Sequence, residues 1–291
     1  MVLNRASGAG AGDETAARIV GLFGAQGRRA TVVPLSTGSS PGDAARGALR
    51  AGCRVIVAAG GDGTVSAVAG AAAGGEVPLG VLPLGTLNHF AKDLGIPSEL
   101  EEAVAVVTGG AIRPVDAGEV NGKLFINNSS LGVYPNIVEL RRRHQGTGLG
   151  KWVAALWATL AALRRRPFLA VQIHLPGETL LRRTPFVFVG NNEYRMSGLR
   201  AGSRASLSGG HLAFYVMHAS RRRSLLRLGW LVLWRGVDQV EELELHSVTE
   251  ASVETHRRRI RVALDGELVM LDAPLRYRIR PGALRVITPR A

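Results

Sequence analysis

Residues whose types and spacing suit phosphate chemistry gather at the ends of short apolar runs. Val55-Ile-Val-Ala-Ala is followed at once by Gly60-Gly61-Asp62-Gly63-Thr64, and then by a small-residue helix pattern from Val65. A buried strand that turns tightly into a helix N-terminus leaves backbone N–H groups free to hold an anion, and the helix dipole favours one there. Glycine at positions 60, 61 and 63 removes the Cβ atoms that would block a phosphate, and it permits positive φ. Asp62 stands where a carboxylate could meet a metal ion or a ribose. The competing reading is a close strand–helix turn with no ligand. Two other segments share this character: Asn4-Arg5-Ala6-Ser7-Gly8 near the start, and Leu84-Gly85-Thr86-Leu87-Asn88 after the apolar run 79–83.

Alternating strands and helices must position these turns. Asp13 can cap a helix that places Ala16, Ile19, Val20 and Phe23 on one face. Residues 30–35 read as a strand, and Asp43 opens an alanine-rich helix through Leu49. The strand 54–59, the glycine turn and a helix from Val65 to about Ala73 come next. Ser98 and Glu101 make a capping box for a helix with Leu100, Ala103, Val104 and Val107 inward. Such alternation predicts a parallel α/β sheet with ligands at the carboxyl ends of its strands, where both glycine turns fall.

After Thr108-Gly-Gly110 the pattern changes. Asn121-Gly122 between the runs 115–120 and 123–127 is a strong two-residue hairpin signal. Further strands are expected at 170–175, 185–189, 212–217, 243–248, 259–264 and 275–279. Many short strands with Gly, Pro and Asn turns predict an antiparallel sandwich or barrel, interrupted by helices over 151–163 and 222–234. The division is placed near Gly110: an α/β domain over 1–110 and a β-rich domain over 111–291.

At 291 residues, 46% hydrophobic and 20% charged, the chain is globular and suits two domains. The formal net charge is +13, nearly all from arginine, since the lysines are Lys92, Lys123 and Lys151 alone. That balance implies an anionic partner, nucleic acid or membrane surface. Cys53 is the single cysteine, so an intrachain disulfide and a thiolate metal site are excluded. The start lacks a signal-peptide pattern, and the apolar run 152–163 is too short to span a bilayer. The chain is expected to be cytoplasmic, with peripheral membrane association.

Several standard sites are missing. There is no G-x-x-x-x-G-K-[ST], the early Gly8-Ala-Gly10-Ala-Gly12 fails to complete G-x-G-x-x-G, and no G-x-S-x-G elbow occurs. The seven histidines lack metal-ligand spacing. Gly60-Gly-Asp-Gly-Thr64 followed by Pro83-Leu-Gly-Thr-Leu-Asn-His-Phe-Ala-Lys-Asp-Leu-Gly-Ile-Pro97 resembles the diacylglycerol kinase catalytic-domain family, which includes bacterial lipid kinases and the sphingosine kinases. The first motif alone is shared with NAD kinases and loosely with phosphofructokinases, whereas the second is far more specific. Asn4 to Gly8 is similar to the family's opening Asn-Pro-x-Ser-Gly, with Arg5 in place of proline. The stretch 115–127 resembles its next signature and Leu264-Asp-Gly-Glu267 its last, so the likeness runs almost from end to end.

The resemblance implies ATP-dependent phosphorylation of a lipid hydroxyl in a cleft between an α/β nucleotide-binding domain and a β-rich antiparallel sandwich domain. By it, Asn4, Ser7, Gly8, Gly60, Gly61, Asp62, Gly63, Thr64, Gly85, Thr86 and Asn88 surround the nucleotide, and Thr37 joins them. Asp62 is the candidate for organising Mg²⁺, directly or through water. Phosphoryl transfer is mostly positioning and charge neutralisation. The acceptor hydroxyl also needs a carboxylate for its proton, a role that the family pattern gives to Glu267 or Asp265. Read alone, Asp265-Gly266 is a type I′ hairpin turn, a reading compatible with the catalytic one. Asp116 is either a strand residue or an acid near the nucleotide, and Asn127 and Asn128 are expected to satisfy backbone groups. The family usually carries Asp-Gly before the strand at 212, with a structural Mg²⁺ in bacterial members. Here Gly209 holds the aspartate's place, which puts that metal site in doubt.

Of the arginine runs 141–143, 164–166, 221–223 and 257–259, the first two bracket the Trp/Leu-rich segment 152–163 and the third precedes another at 225–234. They fit docking on anionic lipid, with packed helices as the competing reading. Nucleic acid is disfavoured, because no recognised module appears. Diacylglycerol is the default acceptor. A sphingoid base, another lipid or alcohol, NAD, and a non-catalytic binding relative are the alternatives, and a homodimer stays open as the assembly.

Overall fold

The computed structural model describes residues 1–4, 12–33, 35, 40–132, 168–197, 200–204, 206–217 and 243–290. In chain order the elements are β1 (Val2–Leu3), α1 (Gly12–Ala25), α2 (Pro41–Arg50), β2 (Ile56–Gly60), α3 (Asp62–Ala72), β3 (Leu79–Pro83), α4 (His89–Asp93) and α5 (Leu100–Gly109). Strands then dominate: β4 (Ala111–Val120), β5 (Lys123–Phe125), β6 (Asn128–Gly132), β7 (Leu169–Leu175), β8 (Glu178–Thr184) and β9 (Phe186–Asn191). They continue as β10 (Tyr194–Ser197), β11 (Arg200–Arg204), β12 (Leu212–Met217), β13 (Leu243–Val248), β14 (Glu250–Thr255), β15 (Arg259–Leu264), β16 (Glu267–Asp272) and β17 (Leu275–Thr288). The chain divides into two compact units: Met1–Ala117 with Ser206–Gly209 and Arg280–Ala291, and Gly118–Ala205 with Gly210–Ile279.

The first unit is the α/β domain. β1, β2 and β3 run parallel, and the C-terminal part of β17 lies parallel to β3 through Val286 and Leu79. Every residue of β2 and β3 is buried, as parallel strands covered on both faces require. α3 buries Val65, Val68, Ala69 and Ala72, and α5 buries Leu100, Ala103, Val104 and Val107. Ser40 caps α2 in a capping box with Asp43, and Pro41 occupies the first turn. The Ser40 hydroxyl, and then Arg46, hold the Asp43 carboxyl below its ordinary value.

Three local expectations are corrected. The strand at 30–35 reduces, among the described residues, to a single parallel bridge from Val33 to Val2. The box at Ser98 and Glu101 does not form: Glu99 is the N-cap and makes no side-chain cap bond. Glu101 instead accepts from Arg18 of α1 at 2.6 Å, so a cross-helix ion pair takes the carboxylate. Val20 is exposed, and Ile19 and Phe23 carry the buried stripe of α1.

The second unit is an antiparallel sandwich. One sheet has the order β13-β12-β9-β6-β15-β16; in the other, β14 lies between β7 and β17, and β8 pairs with β7. Their facing sides form one core that includes Leu131, Ile173, Val189, Phe214, Val253, Val262, Leu275 and Tyr277. Tyr277 meets Phe125 and Phe214 edge to face and bonds Ser129 Oγ at 2.9 Å; burial pushes its phenol well above the ordinary value. Hairpins at Asn121-Gly122 and Asp265-Gly266 both have the positive φ pair of a type I′ turn, 46° with 78° and 48° with 85°. The helices expected at 151–163 and 222–234 lie outside the described residues.

Candidate active site

The glycine stretch folds as a strand end meeting a helix start. Gly60 closes β2, Gly61 is the N-cap of α3 in extended conformation, and Asp62, half-buried, is the first helical residue. The first intrahelical bond runs from Val65 N–H to Gly61 C=O, so the N–H groups of 62–64 precede the ladder. Gly61 offers them no side-chain acceptor.

Two close approaches explain the glycines. A Cβ on Gly60 would lie 2.7 Å from Thr64 Oγ1, and one on Gly85 would lie 2.5 Å from Gly61 Cα. The two turns are further tied by Leu84 N–H donating to Gly60 C=O at 3.1 Å. Thr64 is buried, and its hydroxyl accepts from Asn4 Nδ2 at 3.3 Å, which anchors the helix start to the end of β1. Asn88, in left-handed conformation, holds the second turn: its Oδ1 accepts from Gly85 N–H at 3.1 Å, and its Nδ2 donates to Gly85 C=O at 2.7 Å and Pro83 C=O at 3.3 Å. Its amide therefore shapes the loop, while Thr86 stands exposed beside it. Ser7, Gly8 and Thr37 lie outside the described residues. Asp116 is buried in the first unit and accepts from Gly282 N–H at 2.8 Å.

In the second unit the tip of the β15–β16 hairpin carries the two candidate acids. Asp265 turns its side chain onto the segment before β6. Oδ2 accepts from Ile126 N–H at 2.9 Å, and Oδ1 accepts from Asn127 and Asn128 N–H at 2.8 and 3.0 Å. Glu267, the first residue of β16, is exposed. Sequence reasoning missed the opposite side of this segment, where Arg204, Asn191 and Tyr194 bind its carbonyls. A lone arginine after a serine carries no readable signal, and Asn191-Asn192 at the end of an apolar strand is at most a hint. Among the described residues no three His, Cys, Asp or Glu side chains gather as a metal site. Of the arginine runs, Arg257 to Arg259 is described and exposed.

A glycine-walled helix start in an α/β unit is thus joined in one chain to an antiparallel β sandwich. Residues 1–120 match the diacylglycerol kinase catalytic domain family, and residues 144–288 match the YegS C-terminal NAD kinase beta sandwich-like domain. A "probable lipid kinase YegS-like" protein of Pseudomonas aeruginosa is 35% identical over 255 residues, covering 83% of this chain and 79% of that one. The diacylglycerol kinase of Mycobacterium tuberculosis is 30% identical over 252 residues, covering 84% and 79%. The chain thus belongs to the diacylglycerol kinase and YegS-like lipid kinase family. A crystal structure of a diacylglycerol kinase from Bacillus anthracis shares the fold, with a TM-score of 0.68 at 19% identity over 99% of this chain and 95% of that one.

Proposed function

We propose that this lipid kinase family member transfers the γ-phosphate of ATP to the hydroxyl of a neutral glycerolipid, with diacylglycerol giving phosphatidic acid as the first choice. The observation that carries the reading is the uncapped start of α3, walled by Gly60, Gly61 and Gly85, in a chain whose relatives are named lipid kinases. The N–H groups of residues 62–64, behind a glycine N-cap that brings no side-chain acceptor, suit a phosphate. Asp62 supplies one hard oxygen ligand, which fits a Mg²⁺ held mainly by triphosphate and water. When bound, such an ion would supply charge neutralisation at the transferred phosphate. Glu267 is the carboxylate proposed to take the acceptor's proton.

An anionic membrane surface is the proposed location of the acceptor. The net charge of +13 and the exposed arginines at 257 and 258 support it.

The test is transfer of labelled phosphate from Mg-ATP to an extractable lipid in anionic mixed micelles containing diacylglycerol, using the full chain. Label in phosphatidic acid is the expected result, and label only in NAD overturns the reading. Asp62→Ala is expected to lose most turnover with an unchanged melting temperature.

A further inference from the structure

Residues 126–128 have all six of their backbone polar groups satisfied, the N–H groups by one carboxylate and the carbonyls by Arg204 and neutral donors. The three N–H groups donate to the Asp265 carboxylate, as given above. On the carbonyl side, Arg204 Nη1 and Asn191 Nδ2 donate to Ile126 C=O at 2.5 and 2.9 Å. Tyr194 Oη and Asn191 N–H donate to Asn127 C=O at 3.0 and 2.9 Å, and Asp265 N–H donates to Asn128 C=O at 2.9 Å. The second Arg204 nitrogen reaches Asn127 Oδ1 at 2.8 Å, and the guanidinium lies 5.4 Å from the Tyr194 ring centre. Arg204, Ile126, Asn127 and Asn191 are buried.

The peptide between Ile126 and Asn127 is therefore held by a cation at its carbonyl and an anion at its N–H, and the peptides on either side share that anion. The two charges lie at opposite ends of that peptide's dipole, so the pair acts through the backbone it holds. Asp265 takes a left-handed φ of 48° to make this reach, and its carboxylate has an acceptor role on each oxygen. Glu267 lies on the far side of the same two-residue turn, paired with Leu264 in the ladder, and its side chain is exposed.

We infer that Asp265 and Arg204 are positioning residues. They clasp residues 126–128 from opposite sides and so fix the hairpin tip from which Glu267 serves as the base. This rests on the lipid kinase reading above. In the transfer step the acceptor hydroxyl gives its proton to the Glu267 carboxylate while its oxygen bonds to the γ-phosphorus. The bond from that phosphorus to the bridging oxygen breaks, and ADP leaves with the electron pair. Asp265, with both oxygens committed to backbone donors, takes no proton.

Two measurements on the full chain test this. The first is amide hydrogen exchange at residues 126–128. The second is the pH dependence of kcat/KM for phosphate transfer from Mg-ATP to diacylglycerol in mixed micelles. Glu267→Gln is expected to leave the amides protected, to lower the rate by roughly 10²-fold or more, and to abolish the acid limb of the profile. Asp265→Asn keeps the shape but turns an N–H₂ toward the donors. It is expected to raise exchange at 126–128 at least tenfold and to lower kcat by roughly 10–100-fold, with the acid limb retained. Arg204→Lys keeps a charge but loses the fork, and the same pattern is expected at smaller size. Loss of the acid limb in Asp265→Asn, or its survival in Glu267→Gln, overturns the assignment, as does fast exchange at 126–128 in the wild type. Protected amides that Asp265→Asn releases, in a protein that phosphorylates no lipid, support the clasp and overturn the functional reading instead.

Discussion

At the first turn of α3, three successive backbone N–H groups precede the helix ladder behind a glycine N-cap, which brings no side-chain acceptor to them. At Ile126–Asn128, three successive N–H groups end on the two oxygens of Asp265. Both are concave runs of donors suited to an anion. The second is filled internally, because a tethered carboxylate with three charge-assisted bonds outcompetes a free phosphate that would pay the entropy of association. The first is shaped by glycines at 60 and 85, since a Cβ there collides with Thr64 or with the neighbouring turn. The difference supports the proposed nucleotide site: one donor run is filled by a carboxylate of the chain, and the other starts behind a glycine that brings none. A third case lies between them, at α2, where Ser40 and Asp43 close the helix start with a capping box.

Closing the open run should have the largest effect. Gly85→Ala drives a methyl to 2.5 Å from Gly61 Cα, and the two turns must separate. A loss of about 10²-fold in kcat/KM for ATP is expected from such a displacement, read by steady-state titration of Mg-ATP. Wild-type kinetics in that variant would break the comparison. Opening the filled run comes next. Asp265→Ala leaves the buried donors of Ile126 and Asn127 without their acceptor, and a loss of about 2–3 kcal/mol is expected from urea unfolding. Added phosphate should recover part of it, since the vacated run then resembles the open one.

The smallest effect is expected at α2. Ser40→Ala should cost about 1 kcal/mol at neutral pH. The Asp43 carboxyl is held below its unfolded value, first by the Ser40 hydroxyl and then by Arg46. Its contribution is therefore present above the unfolded value and disappears as pH falls through the folded one. The gap between wild type and Ser40→Ala should narrow at acid pH, and thermal melts at neutral and acid pH would show it.

Much of the first unit was legible because its signals are local. A continuous apolar run ending in Gly60-Gly-Asp-Gly-Thr64 needs only the strand–turn–helix geometry to be read, and the same holds for the run ending at Pro83. In the sandwich, β12, β13 and β15 were legible end to end, while β8 and β14 were not. Glu178–Thr184 and Glu250–Thr255 bury only alternate residues, and their exposed Glu, Arg and Thr positions look like loop. β17 runs on past Ile279 through Arg280-Pro281-Gly282, where a turn composition conceals a strand that returns to the first unit. The roles of Asn88 and Asp265 were hidden for another reason. A motif gives a residue's place, but not whether its polar atoms face a ligand or the backbone: Asn88 turns onto its own loop three and five residues back, and Asp265 reaches a segment up to 139 residues away. Arg204 bonds Ile126 across 78 residues and left no local trace.

In the proposed arrangement the donors of α3's first turn are open to phosphate, whereas those of 126–128 are taken by Asp265. Backbone amide shifts on titrating Mg-ATP into the full chain, read by isotope-edited NMR, test it most directly. The account predicts saturable shifts at residues 61–64 and at 85 and 86, with the amides of 126–128 unmoved. Saturable shifts at 126–128, with 61–64 unchanged, would contradict it.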